Sequence, residues 1–251
     1  MVTLSSSKIN DIHKKMIFRF IWEEGKVSRS QIGKAFGLSK STVSGIVREL
    51  IEEGLIVESG WGNSSGGRRS ELLSLNPYGP LILSVFLKDG GEGEVAVINL
   101  LGTVLDNRHF YLSSKEDAKE TVTKISYFLR FFLSSYPENC FLGIGLGVPG
   151  IVDHKQGTIS YSAHLGWREV PLSKMIISCL PTDLPLIVSN RTIAATLGEM
   201  WFGKGKEAQN FICINSGEAA GAGIVIDGHI YRGLRDGAGE VGHVALLSGE
   251  K

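Results

Sequence analysis

The sequence predicts an α/β protein in two parts, a helical head followed by a larger body of strands and helices. Residues 8–51 carry three helical apolar patterns, and two short strand patterns around a glycine- and serine-rich loop follow them. From residue 81 onward, strand patterns come first in succession and then alternate with helices. The segment Asn76-Pro77-Tyr78-Gly79-Pro80 lies between the two patterns, so we expect domains of residues 1–77 and 78–251.

Composition restricts the class of protein. Of the 251 residues, 43% are apolar and the mean hydropathy is +0.09, so the chain can bury a core and general disorder is excluded. The three cysteines form no C-x-x-C pair, which disfavours a disulfide framework or a zinc ribbon and favours a reducing compartment. No N-terminal signal region and no stretch of about 18 apolar residues is present, so we expect a cytoplasmic protein without a membrane partner.

The head has the pattern of three helices. Residues 8–24 repeat apolar side chains at three-and-four spacing, which predicts one buried face containing Ile9, Ile12, Met16, Ile17, Phe20 and Ile21. Ser28-Arg29-Ser30-Gln31 has the form of a capping box for a second helix, and Gly37 follows as its expected end. Ser39 is the expected N-cap of a third helix that closes at Gly54. Two helices joined by a short glycine-containing turn follow the helix-turn-helix plan.

The start of the third helix has the side chains of a DNA-reading helix. Short hydroxyl groups alternate there with cations, which suits a helix whose N-terminal end enters the major groove. The predicted DNA-binding residues of this helix are Ser39, Lys40, Ser41, Thr42, Ser44 and Arg48.

A basic hairpin follows the third helix. Residues 55–58 and 71–75 read as strands, and the loop between them ends in Arg68 and Arg69. Such a loop is typical of the wing of a winged helix, whose arginines contact phosphates or a narrow minor groove. The alternative is a three-helix packing module with a solvated basic loop. The head carries a net charge of +3 and the rest of the chain −3, a weak indication of nucleic acid.

The body reads as an α/β domain. Apolar runs predict three consecutive strands, then a helix, a buried strand, and a further strand–helix–strand series. The predicted elements are strands at 81–87, 94–100 and 103–111, a helix at 115–135, strands at 141–147 and 186–188, a helix at 192–201 and a strand beginning at 211.

Four motifs in the body stand in a fixed order. They are Gly143-Ile144-Gly145-Leu146-Gly147-Val148-Pro149-Gly150, Asn190 followed by Ala194-Ala195-Thr196-Leu197-Gly198-Glu199, Gly221-Ala222-Gly223-Ile224-Val225-Ile226-Asp227-Gly228, and Gly239-Glu240-Val241-Gly242-His243. Together with the head they resemble the repressor branch of the ROK family of sugar-responsive repressors and sugar kinases. The resemblance implies an actin-like, hexokinase-like ATPase fold whose second lobe begins near residue 190 and is incomplete here, with roughly a hundred further residues expected.

The resemblance also implies a sugar site. Glu240 and His243 match family positions that face the sugar, and Asn190 follows a buried strand, at the carboxyl edge where ligands collect in α/β sheets. The residue after the asparagine is in the family the aspartate that takes the proton of the sugar hydroxyl, and here it is Arg191. A guanidinium stays charged and cannot accept that proton, so we expect no kinase activity. The cation favours an anionic sugar ligand, and the alternative is that Arg191 pairs with a nearby carboxylate.

The family's phosphate loops depart from the kinase pattern in this chain. Residues 87–93 lack the threonine of the first loop and add Glu92, and the second loop has Glu218. Carboxylates there repel nucleotide phosphates. By resemblance His243 is also a zinc ligand, but the other ligands come from a cysteine-rich segment that would lie beyond Lys251. No cofactor is therefore certain, and zinc is expected only with that segment.

These observations predict a transcriptional regulator, expected to be a repressor of carbohydrate genes. Its expected partners are operator DNA, a sugar or sugar-derivative effector and a second copy of the chain, since two-fold proteins read paired half-sites. Two alternatives stay open, a sugar kinase with an appended DNA-binding head and a DNA-binding protein that has lost effector sensing.

Overall fold

The computed structural model describes residues 6–62, 69–113, 116–137, 140–217, 220–234 and 237–243, without the side chains of Ser6, Ser7, Asp89 and His243. The chain divides into two compact units. The first is Met1–Pro80 with Asn99–Leu101, and the second is Leu81–Ile98 with Gly102–Lys251. The division falls after Pro80, at the end of the proline- and glycine-containing joint. The finer boundary at residue 77 stays a prediction.

The first unit contains the three predicted helices, α1 (Ser6–Glu24), α2 (Arg29–Phe36) and α3 (Lys40–Glu52). The capping box at the start of α2 is confirmed, because the backbone N–H of Ser28 donates to Gln31 Oε1 (2.8 Å) and that of Gln31 donates to Ser28 Oγ (3.3 Å). The α2 cap at Gly37 has φ 64°, a left-handed conformation that glycine adopts without strain. These caps fix the length of α2 and the turn into α3.

The predicted buried face of α1 is correct only in its second half. Ile17 and Ile21 are fully buried, but Ile9, Ile12 and Met16 are 41%, 45% and 40% exposed. Periodicity identifies the apolar face of a helix and not how much of that face its neighbours cover. The first half of α1 does contact the end of α3, through polar side chains: Asn10 Nδ2 donates to the Glu49 carboxylate at 3.4 Å, and Lys14 pairs with Glu49 and Glu53.

Strands β1 (Val27–Ser28), β2 (Ile56–Trp61) and β3 (Glu71–Leu75) form an antiparallel sheet in the order β1-β3-β2. The β2–β3 hairpin confirms the predicted wing strands. Strand β1 was not predicted, because two residues are too short to form a pattern. Its pairing of Ser28 with Leu72 joins the start of α2 to the hairpin.

The second unit is built on a mixed sheet in the order β11-β7-β4-β5-β6. These strands are β4 (Leu81–Leu87), β5 (Glu92–Ile98), β6 (Val104–Tyr111), β7 (Phe141–Val148) and β11 (Leu186–Asn190). The pairs β11–β7 and β7–β4 are parallel, and the β4–β5–β6 meander is antiparallel. The predicted strands are confirmed, with ends shifted by up to two residues.

Helix α4 (Ala118–Ser135) packs its apolar stripe into the core of the second unit. Val122, Ile125, Leu129 and Phe132 are at most 3% exposed, as the amphipathic pattern predicts. The helix begins at Ala118 rather than at residue 115, because Asp117 caps it by accepting the backbone N–H groups of residues 119 and 120. Leu83, Val85, Leu146 and Val188 of the sheet complete this core.

A second antiparallel sheet, between β7 and β11 in sequence, was not predicted. It consists of β8 (Ile151–Asp153), β9 (Thr158–Ser162) and β10 (Trp167–Val170), and helix α5 (Leu172–Ile177) follows it. Strands of three to five residues carry too few alternations for a sequence pattern. Their stability comes from burial of Val152, Ile159 and Trp167 in the common core.

The last described elements are α6 (Arg191–Phe202), β12 (Phe211–Ser216), β13 (Ala220–Ile226) and β14 (His229–Tyr231). The strands form an antiparallel sheet in the order β12-β13-β14. A short 3-10 helix at Val241–His243 ends the described residues. Helix α6 packs against β12 and β13, and Gly221 and Gly223 of β13 face Thr192 and Thr196 of the helix.

Candidate nucleic-acid interface and effector site

Helix α3 presents a polar and basic face to solvent. Lys40, Ser41, Ser44 and Arg48 are exposed, and three of them lie four residues apart, on one side of the helix. The opposite side buries Val43, Ile46, Val47 and Leu50. The structure therefore brings four of the predicted DNA-binding residues together on one surface.

The hydroxyl groups at the start of α3 form a cap. Ser39 Oγ accepts the backbone N–H of Thr42 at 3.2 Å, and its hydroxyl lies 2.9 Å from those of Ser41 and Thr42. Thr42 is half-buried. Ser39 and Thr42, predicted as DNA contacts, thus also determine where the recognition helix begins. The role of both in DNA binding stays a prediction.

Arg48 is available for a contact with an anion. Its guanidinium lies 3.9 Å from a Glu52 carboxylate one turn on, and the two side chains are 75% and 68% exposed. An ion pair this exposed is worth at most about 1 kcal/mol, so it does not hold the arginine in place.

The base of the wing is joined to α2 by one arginine. Arg29 Nη2 donates to Glu58 of β2 at 2.7 Å, and Nη1 donates to Glu71 of β3 at 3.1 Å. The backbone N–H of Gly62 donates to the Ser70 carbonyl at 2.8 Å and continues the hairpin. Sequence patterns missed this arrangement, because the carboxylates lie 29 and 42 residues from Arg29.

The wing tip is described only in part. Arg69 is exposed, and Arg68 lies outside the described residues. Trp61, at the end of β2, is 59% exposed and was not singled out from the sequence. Gly60, in the irregular step of β2 between Glu58 and Trp61, has φ 106°.

In the second unit, Asn190 closes β11 and caps α6. Its Oδ1 accepts the backbone N–H groups of Thr192 (2.7 Å) and Ile193 (3.2 Å), and its Nδ2 donates to the Gly150 carbonyl at 2.7 Å. The side chain therefore ties the start of α6 to the turn after β7. These three bonds use both acceptor lone pairs of the amide oxygen and one of the two N–H donors of the amide nitrogen.

Arg191 begins α6 and is 7% exposed. A buried guanidinium requires anionic or polar partners, and the dipole of the helix disfavours a cation in its first turn. Ser189, immediately before the cap, is 9% exposed, and its hydroxyl has no hydrogen-bond partner within the described part of the chain. The structure thus places polar groups with unusual burial at the carboxyl end of β11.

The segment from residue 239 to 243 lies along β13. The Gly239 carbonyl accepts the N–H of Ala222 at 2.7 Å, and a Cβ at Gly239 would lie 1.7 Å from the Ala222 carbonyl oxygen. A Cβ at Gly242 would lie 2.6 Å from the carbonyl oxygen of Ala220. Close approach of backbones explains both glycines of the motif. Glu240 between them is exposed.

Strand β13 links the two parts of the predicted sugar site. A Cβ at Gly221 would lie 2.8 Å from Thr192 Oγ1, and one at Gly223 would lie 1.8 Å from Thr196 Oγ1, so this strand contacts α6 directly. Neighbouring residues of the same strand contact the Gly239–Gly242 segment. Helix α6, which Asn190 caps and Arg191 begins, and the segment that contains Glu240 thus contact the same strand. The side chain of His243 lies outside the described part, so its predicted sugar and metal roles stay predictions.

The segment in place of the family's first phosphate loop is occupied by a charged cluster. Lys88 Nζ lies 3.0 Å from both Glu92 Oε1 and Glu94 Oε2, and Glu92 Oε1 also lies 2.9 Å from His109 Nδ1. The bond from Lys88 and then that from His109 hold the pKa of Glu92 below its ordinary value of 4.5. Hydrogen bonds from Glu94 and Glu92 raise the pKa of Lys88. The lysine is thus engaged by carboxylates. Glu218 lies outside the described residues.

No metal-binding cluster of three or more His, Cys, Asp or Glu side chains exists among the residues described. Cys140, Cys179 and Cys213 are free and partly buried, and burial raises the pKa of the Cys140 thiol. The described donors therefore do not fit a zinc site. No described helix is long and apolar enough to cross a membrane.

Comparison with known proteins finds a matching family model in each of the two units. Residues 89–250 match the model of the ROK family, and residues 10–57 match that of winged helix-turn-helix DNA-binding domains. The chain is 34% identical over 242 residues to the xylose repressor of Caldicellulosiruptor bescii, covering 95% of this chain and 59% of that protein.

Solved structures show the same architecture. A ROK family transcriptional regulator described as a homologue of the E. coli MLC protein superposes with a TM-score of 0.80 and 28% identity, over 97% of this chain and 61% of that one. A ROK family glucokinase from Streptomyces griseus, solved with glucose and AMPPNP, superposes with a TM-score of 0.59 and 27% identity, over 66% of this chain and 51% of that one. The present chain thus spans about six-tenths of the length of its repressor-type relatives.

Proposed function

Because the chain belongs to the ROK family and its head has the winged helix-turn-helix fold, we propose that it is a DNA-binding transcriptional repressor controlled by a sugar. The observation that carries the proposal is the exposed face of α3, where Lys40, Ser44 and Arg48 lie on one side of a capped helix. Cations and hydroxyls on such a face supply the phosphate and base-edge contacts of operator recognition.

The effector would bind near the end of β11, where α6 begins and where α6 and the Gly239–His243 segment contact β13. Sites at the carboxyl ends of parallel strands collect ligands in α/β sheets, and β11 and β7 are parallel there. Since a relative is named a xylose repressor, xylose is the first effector to test. Buried Arg191 supports a second candidate class, anionic sugars, through charge-assisted hydrogen bonds.

The similarity to a glucokinase supports a sugar kinase as the second candidate function. Two observations disfavour it. The family's proton-accepting aspartate is replaced by Arg191, and in place of the first phosphate loop Lys88 is engaged by Glu92 and Glu94. We therefore propose that the chain does not phosphorylate sugars. A DNA-binding protein without effector sensing is the remaining alternative.

The proposal includes a homodimer acting in the cytoplasm, where it meets operator DNA. Two-fold symmetry would place two copies of α3 in successive major grooves. Zinc is proposed only for a chain that carries a cysteine-rich segment after His243, because the described residues contain no ligand cluster.

Selection of bound sequences from a random duplex pool tests the proposal. The wild type should enrich one sequence, and log affinity should fall linearly with log salt because each neutralised phosphate releases counterions. A double variant, Lys40→Ala with Arg48→Ala, should reduce both affinity and salt slope. The matched control, Lys8→Ala with Lys15→Ala on α1, removes two cations outside α3. No enrichment, or equal effects of both variants, would contradict operator recognition by α3.

A further inference from the structure

We propose that Arg29 is a positioning residue for DNA binding, which orients the wing by holding Glu58 and Glu71 together at its base. This inference rests on the proposed function, because it concerns how the wing reaches DNA. Arg29 is not one of the predicted contacts of the recognition helix or of the wing tip.

Arg29, Glu58 and Glu71, which together we call the clamp, belong to three different elements. Arg29 is the first residue of α2, Glu58 belongs to β2 and Glu71 to β3. The guanidinium donates from two different nitrogens to two different carboxylates, at 2.7 and 3.1 Å. A planar fork of this kind restricts orientation as well as distance, which a lysine cannot do.

The clamp lies at the point where the wing is otherwise irregular. The register of β2 and β3 shifts between Glu58 and Trp61, so the two carboxylates lie on either side of the shift. Glu71 is two residues from Arg69 at the tip. On the far side of the register shift, Trp61 pairs with Glu71 in the ladder. An arginine that joins both strands at this point restricts how the ends of the two strands are oriented relative to α2.

The charges of the clamp favour positioning over direct contact. Arg29 is 32% exposed, and its donation holds the pKa of Glu58 below the ordinary value of 4.5. A cation in the first turn of a helix is disfavoured by the helix dipole, so the carboxylates offset that cost. Two carboxylates on a DNA-facing module also repel phosphates. Their presence there is explained if the orientation they provide outweighs that repulsion.

Loss of orientation weakens DNA binding and loss of repulsion strengthens it, so the direction of the change in affinity tests the proposal. In the full-length double variant Glu58→Gln with Glu71→Gln, two negative charges are lost and Arg29 is released. Positioning predicts weaker binding to the duplex selected by the wild type, by about threefold to tenfold, and a salt slope lower by about 1. If Arg29 bound phosphate directly, or were only a surface ion pair, the same variant would bind equally or more tightly.

A matched control removes the same charge elsewhere. Glu23→Gln with Glu24→Gln neutralises two exposed carboxylates at the end of α1. Glu23 pairs with Arg19 of the same helix at 2.6 Å, so its loss does not separate two elements. This control variant should bind as tightly as the wild type or slightly more tightly. Thermal unfolding of each variant shows whether a change in affinity reflects loss of the fold.

A double-mutant cycle with the wing tip separates positioning from general structure. Arg69→Ala should lower the salt slope by about 1 in the wild type and by much less in the Glu58→Gln/Glu71→Gln background. Arg29→Lys should retain part of the coupling. Equal effects of Arg69→Ala in both backgrounds would contradict the positioning role of Arg29 and leave the proposed function standing. Failure of the wild type to bind duplex DNA would overturn both the clamp and the proposed function.

Discussion

The Asn190 side chain donates to the Gly150 carbonyl at 2.7 Å while its oxygen caps helix α6. One amide therefore joins the turn after β7 to the helix after β11, at the edge where two parallel strands end. A carboxylate could cap the helix but could not donate to the carbonyl, which explains why an amide suits this position.

Substitution of Asn190 should separate these two contributions to stability. Asn190→Ala loses both the cap and the donated bond, and should lower the free energy of unfolding by about 1–3 kcal/mol. Asn190→Ser keeps a capping oxygen and should recover part of that loss. Urea denaturation measures both. Equal stability of the alanine variant and the wild type would contradict the bridging role.

Gly223 should be intolerant of even one methyl group. Its Cβ would lie 1.8 Å from Thr196 Oγ1 and 2.6 Å from Thr196 Cβ, so Gly223→Ala forces β13 away from α6 and should cost about 1–3 kcal/mol or more. Gly198→Ala is the control on the same helix. A Cβ there meets nothing within 4 Å, and removing a mid-helix glycine should add up to about 1 kcal/mol. Thermal unfolding of the two variants should shift in opposite directions.

The Glu116–Lys124 pair should make stability depend on acid. Burial raises the pKa of Glu116, but the hydrogen bonds from Lys124 Nζ (2.5 Å) and the Ser113 N–H (3.0 Å) outweigh it and hold the pKa below 4.5. A carboxylate with a lowered folded pKa stabilises above its unfolded pKa, and that contribution is lost as pH falls through the folded value. Glu116→Gln should therefore lower stability at neutral pH and flatten its fall below about pH 4.5.

Lys124→Met provides the second arm of that experiment. Without the ammonium, burial dominates and raises the folded pKa of Glu116 above its unfolded value. The ionised carboxylate then destabilises the fold at neutral pH, and this cost should be relieved as pH falls through the folded pKa, so the contribution of Glu116 to the pH dependence should be opposite in sign to that in the wild type. Denaturant titration at a series of pH values measures both variants. Parallel curves for wild type and Glu116→Gln would show that this carboxylate is not involved.

Glu240→Ala and His243→Ala should abolish the response to the effector and leave DNA affinity without effector nearly unchanged. The reason is that these residues belong to the second unit and α3 to the first. Operator binding with and without xylose, or with a panel of other sugars, measures the response. A normal response in both variants would show that the assignment of the sugar site is wrong.

Because Arg191 stands where the family has the proton-accepting aspartate, the chain should not transfer phosphoryl groups to sugars. ATP turnover with any sugar should be absent, and Arg191→Asp alone should not restore it while Glu92 and Glu94 engage Lys88. Calorimetry with neutral and phosphorylated sugars tests the positive role of the cation. Tighter binding of the phosphorylated sugar, lost in Arg191→Ala, is expected for an anionic ligand. Equal affinities, unchanged by the substitution, would contradict it, and sugar phosphorylation would contradict the absence of enzyme activity.

The elements predicted best are those specified by neighbouring residues. The Ser28–Gln31 capping box, the amphipathic stripe of α4 and the run of β4 each depend on contacts or periodicities within a few residues, so they are visible in one dimension. The exposed face of α3 follows from the same periodicity. The sugar-site residues came from a resemblance in motif order, and their spacing alone does not identify them.

The sequence by itself therefore determined the two-part organisation, the main helices and strands, and the residue types at both candidate sites. Only the tertiary structure decided which residues meet: Arg29 with Glu58 and Glu71, β1 with β3, and β13 with both α6 and the Gly239 segment. It also decided that Ile9 and Ile12 are exposed. These outcomes depend on which neighbours cover a helix face and on pairs tens of residues apart, and neither leaves a local pattern in the chain.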